Sequence, residues 1–435
     1  MKFYDREEEL KLLEKDRIRS ADKGSALTVI TGRRRIGKTA LIRESEKESK
    51  MLYVFTERVN ESVLCQLFAD NAKTDLGIEL FNTGKFRDIF KQLMAYGENN
   101  NYTLVIDEFQ ELKKINKSIT SIIQNLWDEY KGRTKINMIV CGSVHSMMIK
   151  MFQDGKEPLF GRASSIFNLR PFRPSVIRTI LRDHDPNYKK EDLLFLYAVT
   201  GGVPKYIELL MDKGATSFEK MLDAVCDLNS IFLTDGKNLL ISEFGTDYMT
   251  YFSILHMIAN GKNTQKEIND VTGKECGAYL ENLESKYDMI RKNRPIFSKE
   301  NSRDVRWKIS DNYLRFYFRF INTNMSAVEL KKYDVLKEKI RSEYTEYSGK
   351  VLEDYFAEKI AEEERITNIG SHWDRKGENE IDIVALNDLD GKAIVTEVKR
   401  NPKKANIDEL KRKAGTIQDL NKYDLEYRVL SLDDM

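Results

Sequence analysis

Thr28 to Arg43 reads TVITGRRRIGKTALIR: a short β-branched run, a basic loop bounded by glycines, then a helix-forming segment. Gly32, Gly37, Lys38 and Thr39 satisfy the spacing G-x-x-x-x-G-K-[ST] of a phosphate loop between a strand and a helix. The glycines let successive backbone N–H groups turn inward on a triphosphate, and the start of the following helix adds partial positive charge. The stretch predicts a cradle for ATP made of Gly32, Arg33, Arg34, Arg35, Ile36, Gly37, Lys38, Thr39 and Ala40. In it Lys38 bridges the β- and γ-phosphates, and the Thr39 hydroxyl is a ligand for Mg²⁺, which takes hard oxygen donors. Arg33, Arg34 and Arg35 occupy the variable positions, so they read as loop-surface or interdomain contacts and not as catalysts.

Downstream, Tyr102 to Gln110 (YTLVIDEFQ) is a buried parallel strand ending in two carboxylates. Asp107 stands where such a fold needs a Mg²⁺-holding acid, and Glu108 where the attacking water is oriented or deprotonated. A further apolar run, Ile136 to Ser143 (INMIVCGS), ends in a small polar residue that either senses the γ-phosphate and water or caps the next helix. Arg162, in LFGRASSIFNLRP, is a candidate charge-stabilising arginine in cis or toward a neighbouring subunit; Arg170 competes for that role, and a structural salt bridge is an equal alternative for either. Residues 172–240 read as helical, punctuated by Gly201-Gly202-Val203-Pro204, and make a lid.

Residues 3–240 resemble the STAND-like AAA+ ATPases of archaea and bacteria. The resemblance is carried by Phe3, Arg6, Glu9 and Leu10, then by GRRRIGKT, VIDEFQ, VCGS, FGR and GGVP in that order. It implies that the first helix, read over Phe3–Leu13, closes over adenine, that Asp107 and Glu108 are the magnesium and water residues, and that Pro204 lies near the base.

Length and charge bound the rest. At 435 residues the chain exceeds a single core and predicts several domains. Lys and Arg number 71 against 70 Asp and Glu, so no global field draws the protein to nucleic acid and any such contact must be a local patch. Cys65, Cys141, Cys226 and Cys276 lie far apart, as do the four histidines, which argues against zinc and disulfides. A charged N-terminus and the lack of any long apolar run predict a soluble, cytoplasmic protein without membrane contact.

Residues 247–309 give three short helical segments and a basic hairpin, the outline of a winged helix-turn-helix. Lys274, Lys286, Arg291, Lys292 and Arg294 are its candidate phosphate contacts for DNA, diluted by Asp270, Glu275, Glu281 and Glu284. Asn312 to Ile321 (NYLRFYFRFI) reads as a packed helix and Glu329 to Glu343 as a solvated linking helix. Beyond them come a helix (347–364), strands at 366–370, 381–386 and 393–398, a helix (406–420) and a last strand (427–432). Glu353 lies on the first of these helices, Asp382 on the second strand, and Glu397 and Lys399 share a face at the end of the third. Carboxylates meeting at a strand pair suit Mg²⁺, and a lysine beside them steadies an attacking hydroxide. This arrangement resembles the PD-(D/E)XK, restriction-endonuclease-like nucleases, with the motif's proline replaced by Ile381. The resemblance implies a metal site of Glu353, Asp382 and Glu397 with Lys399 as the catalytic lysine.

The expected architecture is α/β: a P-loop NTPase parallel sheet (1–171), a helical lid (172–240), a winged helix-turn-helix (241–320), and a linking helix with a restriction-endonuclease-like domain (321–435). The expected function couples ATP hydrolysis with Mg²⁺ to the winged helix and a metal-dependent nuclease-like domain acting on DNA. The alternative is an ATP-driven regulatory switch whose C-terminal parts bind protein, alone or as a homo-oligomer.

Overall fold

A computed structural model describes residues 1–435 apart from 246–247, 300, 303, 375–378 and 405. The chain forms two compact units, Asp5–Arg170 and Met1–Tyr4 with Pro171–Met435. Part of the hairpin turn read as a wing, Glu300 and Arg303, lies outside the described residues, as does Asp247 at the start of that segment.

The first unit is built on five parallel strands, β1 (Ala26–Thr31), β2 (Met51–Phe55), β3 (Tyr102–Asp107), β4 (Ile136–Gly142) and β5 (Ser165–Asn168), in the order β2-β3-β4-β1-β5. Every residue of β1, β3 and β4 is buried. Successive side chains on a strand point to opposite faces, so both faces of the sheet are covered, and this is why the sequence shows continuous apolar runs there instead of alternation. The crossover helices supply an aromatic core: Phe68 meets Phe86 edge-on at 5.6 Å, and Phe86 stacks on Phe90 at 5.5 Å. β5 escaped the sequence reading because it is a four-residue, half-buried strand whose only apolar pair is Ile166-Phe167.

The first helix is α1 (Glu7–Lys23), starting later and running longer than the expected Phe3–Leu13. It begins where Asp5 and Arg6 take left-handed backbone angles, leaving Phe3 outside the helix. The Arg6 guanidinium then holds Glu9 at 3.1 Å and the Arg170 carbonyl at 2.7 Å.

In the second unit, helices Pro174–His184, Lys190–Thr200, Pro204–Asp212, Phe218–Val225 and Asp235–Phe244 occupy the stretch read as a lid. Gly201 ends one helix in a left-handed conformation and Pro204 fills the first turn of the next, as its fixed φ favours. Three helices, Tyr248–Ala259, Gln265–Thr272 and Gly277–Ser285, precede an antiparallel hairpin of β6 (Ile290–Asn293) and β7 (Arg306–Ile309). The aromatic run after it is buried, passing from helix Asn312–Phe316 into a π-helical turn, Tyr317–Asn322. The two helices expected over 329–343 and 347–364 are one helix of 31 residues, Tyr333–Glu363. Ser348 and Gly349 do not interrupt it, because the Ser348 hydroxyl satisfies itself on the Tyr344 carbonyl at 2.6 Å. This helix packs on a four-stranded sheet of β8 (Asn368–His372), β9 (Ile381–Asn387), β10 (Lys392–Lys399) and β11 (Asp424–Ser431), in the order β11-β10-β9-β8 with only the β10–β11 pair parallel. Among the described residues no helix is long and apolar enough to cross a membrane.

Candidate nucleotide site and C-terminal carboxylate cluster

The loop after β1 needs its glycines. Gly32 has φ 148°, and a Cβ there would sit 2.9 Å from the Leu169 carbonyl oxygen; Gly37, at φ 92°, precedes helix α2 (Lys38–Ser45). Lys38 is buried, and its ammonium turns back into the loop, donating to the carbonyls of Gly32 at 2.7 Å and Arg33 at 3.1 Å. Ile36 is buried beneath the loop, Arg34 and Ala40 are exposed, and Arg33 and Arg35 are half-buried. The backbone therefore presents a concave, donor-rich turn at the carboxyl ends of the strands, where open parallel sheets bind ligands.

Asp107, the last residue of β3, gathers four donors. One of its oxygens accepts from the Thr39 hydroxyl at 3.0 Å and the Tyr53 hydroxyl at 2.5 Å; the other accepts from Cys141 Sγ at 2.9 Å and the Glu108 amide at 2.8 Å. Burial, reinforced by the Asp107 charge, raises the Tyr53 phenol and the Cys141 thiol above their ordinary values, so both remain protonated donors. Thr39 and Asp107 thus already share a hydrogen bond, and one hydroxyl with one carboxylate, completed by phosphate and water oxygens, is a donor set that fits Mg²⁺.

Glu108 has a left-handed backbone at φ 51°, which turns its carboxylate away from the strand direction. That carboxylate accepts from the Ser143 hydroxyl at 2.8 Å and from the side-chain amide of buried Gln110. Ser143 makes no side-chain cap on the following helix; its hydroxyl goes to Glu108. Arg162 is bound to Asp128 through two nitrogens at 2.8 and 3.1 Å and to the Phe160 carbonyl at 2.9 Å. None of its hydrogen bonds reaches the phosphate loop, Asp107 or Glu108. Pro204 belongs to the second unit.

In that unit Asp382 and Glu397 are brought together by the β9–β10 register, which pairs Ile383 with Thr396. Asp382 accepts the Val398 amide at 2.8 Å, and Lys399 reaches Glu397 at 3.0 Å and Asp382 at 3.4 Å. Against the burial that opposes it, this carboxylate pair keeps the Lys399 ammonium above its usual range. Lys413 approaches the other Glu397 oxygen at 3.7 Å. Glu353 is instead paired with Lys350 at 3.0 Å; burial first, then the charge of Asp382, push its carboxyl up to about 7 in spite of Lys350. Of the three carboxylates expected to share a metal, Asp382 and Glu397 thus meet at Lys399, while Glu353 makes its ion pair with Lys350. Among the described residues no three His, Cys, Asp or Glu side chains are grouped as metal ligands.

The hairpin cations make ion pairs within the chain. Arg291, one of the five cations expected on DNA phosphates, lies 3.4 Å from Asp354, and Lys292, another, lies 2.7 Å from Glu284.

A family model described as an ATPase domain predominantly from Archaea matches residues 3–210, and another, described as archaeal and bacterial proteins of unknown function, matches residues 317–410. The uncharacterized protein MJECL04 of Methanocaldococcus jannaschii is 31% identical over 407 residues, covering 91% of this chain and 87% of its own. The Walker-type ATPase PABY2304 of Pyrococcus abyssi has a TM-score of 0.55 at 20% identity, covering 73% of this chain and 96% of its own. The ORC2 protein of Aeropyrum pernix follows at 0.50 and 14% identity, covering 76% and 96%. At these identities the two solved structures share the fold.

Proposed function

We propose that Lys38, Thr39, Asp107 and Glu108 carry the ATP hydrolysis of this chain, which is an ATPase and belongs to one family with the protein MJECL04 of Methanocaldococcus jannaschii. The observation that supports this most is the 3.0 Å contact of Thr39 with Asp107, one residue before Glu108 and one after Lys38. Thr39 and Asp107 would hold Mg²⁺, which supplies charge neutralisation at the phosphates. Lys38 exchanges its two loop carbonyls for phosphate oxygens, and the amides from Gly32 to Thr39 donate to the same anion. Glu108 orients the attacking water and takes its proton, while Ser143 and Gln110 hold the carboxylate in place. Arg162 has no step in cis in this scheme, since it would first have to leave Asp128. The order of motifs supports a STAND-like organisation with the lid, three-helix-and-hairpin and C-terminal segments as its moving parts. Ser143→Ala, which removes one hydrogen bond to a charged group, is expected to slow turnover about tenfold while ATP affinity stays within about twofold of wild type. An unchanged rate would remove Ser143 from the site.

A second reading gives the C-terminal cluster phosphodiester cleavage. It is favoured by Lys399 seated between Asp382 and Glu397 on adjoining strands. The expected result is Mn²⁺- or Mg²⁺-dependent nicking of DNA that Lys399→Ala abolishes while ATP turnover continues. Wild-type protein that cuts neither single- nor double-stranded DNA or RNA with either metal, with or without ATP, overturns it. The second unit would then be the binding arm of an ATP-driven switch.

A further inference from the structure

A cavity of about 540 Å³ lies within the second unit, between the hairpin and the C-terminal sheet. Its two sides differ in charge. The hairpin and the helical turn after it contribute Arg291, Lys292, Arg306 and Arg319, whereas the long helix and β9 with its approach contribute Glu353, Glu380 and Asp382, with Lys350 paired to the first two at 3.0 and 3.7 Å. Among the described residues of the lining there are seven cationic side chains and five carboxylates, so the cavity is bipolar with a positive excess.

The hairpin is a fixed wall. Its turn is joined to β8: the Ile296 amide donates to the Ser371 carbonyl at 2.9 Å, Pro295 bridges Ser371, and Asn293 reaches the Ser371 hydroxyl at 3.2 Å. Ile296 and Phe297 pack against the apolar core of the C-terminal sheet. At the other end, Arg291 and Lys308 are tied to Asp354 of the long helix. A hairpin anchored at both ends does not offer itself to the groove of a duplex; it encloses space.

Among the cations, Arg306 is the one most readily turned to a ligand. Its guanidinium lies over the Trp373 ring at 4.4 Å, and its ion pair with Glu380 is long, 3.6 Å. A guanidinium so braced is a stacking platform and a phosphate donor at once. Volumes of about 300–1,000 Å³ suit molecules of nucleotide size and exclude a double helix. The bipolar lining asks for a ligand with an anionic end and a hydrogen-bond-donating end. A nucleotide with an exocyclic amine has both, since carboxylates accept from the cytosine amino group whereas thymine presents an oxygen there.

We propose that this cavity binds single-stranded nucleic acid, seating a phosphate against Arg306 and its neighbours on the hairpin side and an amino-bearing base edge against Glu353, Glu380 and Asp382. This goes beyond the cleavage reading and does not depend on it, because binding needs no metal on the acids; a protein that binds the strand without cutting it upholds the proposal.

The test uses the full chain in EDTA at about pH 8 and low salt, with fluorescein-labelled oligonucleotides of about a dozen nucleotides read by anisotropy. The dC strand is expected to bind about tenfold tighter than the dT strand, and both tighter than a blunt duplex. Arg306→Ala and Lys292→Ala are each expected to weaken the dC strand about fivefold or more, with melting temperature as the check on folding. Equal affinity for dC and dT strands, preference for the duplex, or undiminished binding in both variants overturns the assignment. Should one variant fail to fold, the other and the wild-type dC-to-dT contrast still decide.

Discussion

Lys38→Ala is expected to cut ATP turnover by about 10²–10³-fold and to weaken nucleotide binding at the same time. The reason lies in what surrounds this lysine. It is buried, its ammonium is already aimed into the loop, and the Gly32 and Arg33 carbonyls that hold it are the groups a phosphate would replace. An alanine leaves the loop backbone and the Asp107 network in place but removes the charge proposed to follow the β- and γ-phosphates. Turnover measured by phosphate release, with affinity from a fluorescent ATP analogue, separates this from unfolding, which the melting curve would reveal. A variant that retains more than about a tenth of wild-type turnover would contradict the assignment.

Asp354→Asn is expected to destabilise the second unit by about 3–5 kcal/mol. Asp354 lies buried on the long helix, where it accepts Arg315 at 2.8 Å, Arg291 at 3.4 Å and the Lys308 ammonium. Burial by itself would raise its carboxyl, but Lys308, Arg315 and Arg291 outweigh that and hold it well below the usual carboxylate range. An amide of the same shape leaves those cations without their counter-charge in a dry site. The sign of the pH dependence follows from the depressed value: the stabilisation is fully present above the ordinary carboxylate range, near 4, and disappears as pH falls through the lower folded value. The gap between wild type and variant in urea unfolding should accordingly be large at pH 7 and shrink toward pH 3. A gap below about 1 kcal/mol at neutral pH would mean that Asp354 does not organise the hairpin.

The parts of the ATP site that could be read from sequence are those whose residues are neighbours in the chain. Gly32 to Thr39 declare a loop because the backbone there has to turn on a phosphate, and Asp107-Glu108 declare themselves by ending an apolar run. Tyr53, Gln110 and Cys141 were not found, because each reaches Asp107 or Glu108 only after folding. A signal existed for Cys141: β3 and β4 pair Ile106 with Val140, which sets Cys141 beside Asp107 once the strands are known to be neighbours. Tyr53 lies two positions before the partner of Asp107 on β2, and only its length lets it reach the carboxylate. In the second unit, alternation placed Asp382, Glu397 and Lys399 on one surface, yet it could not foresee Lys413 from the helix Ile407–Ala414 answering Glu397. Nor could a basic hairpin read in isolation reveal that β8 would take up its turn.

The most direct measurement of the central claim is single-turnover hydrolysis by Glu108→Gln beside wild type, with ATP binding followed in the same samples. The amide can keep its contact with the Ser143 hydroxyl, but it cannot take a proton from water. The account predicts ATP affinity within about twofold of wild type and a hydrolysis rate lowered about a hundredfold or more, so that the variant holds ATP uncleaved. A Glu108→Gln protein that hydrolyses bound ATP at the wild-type rate would contradict it.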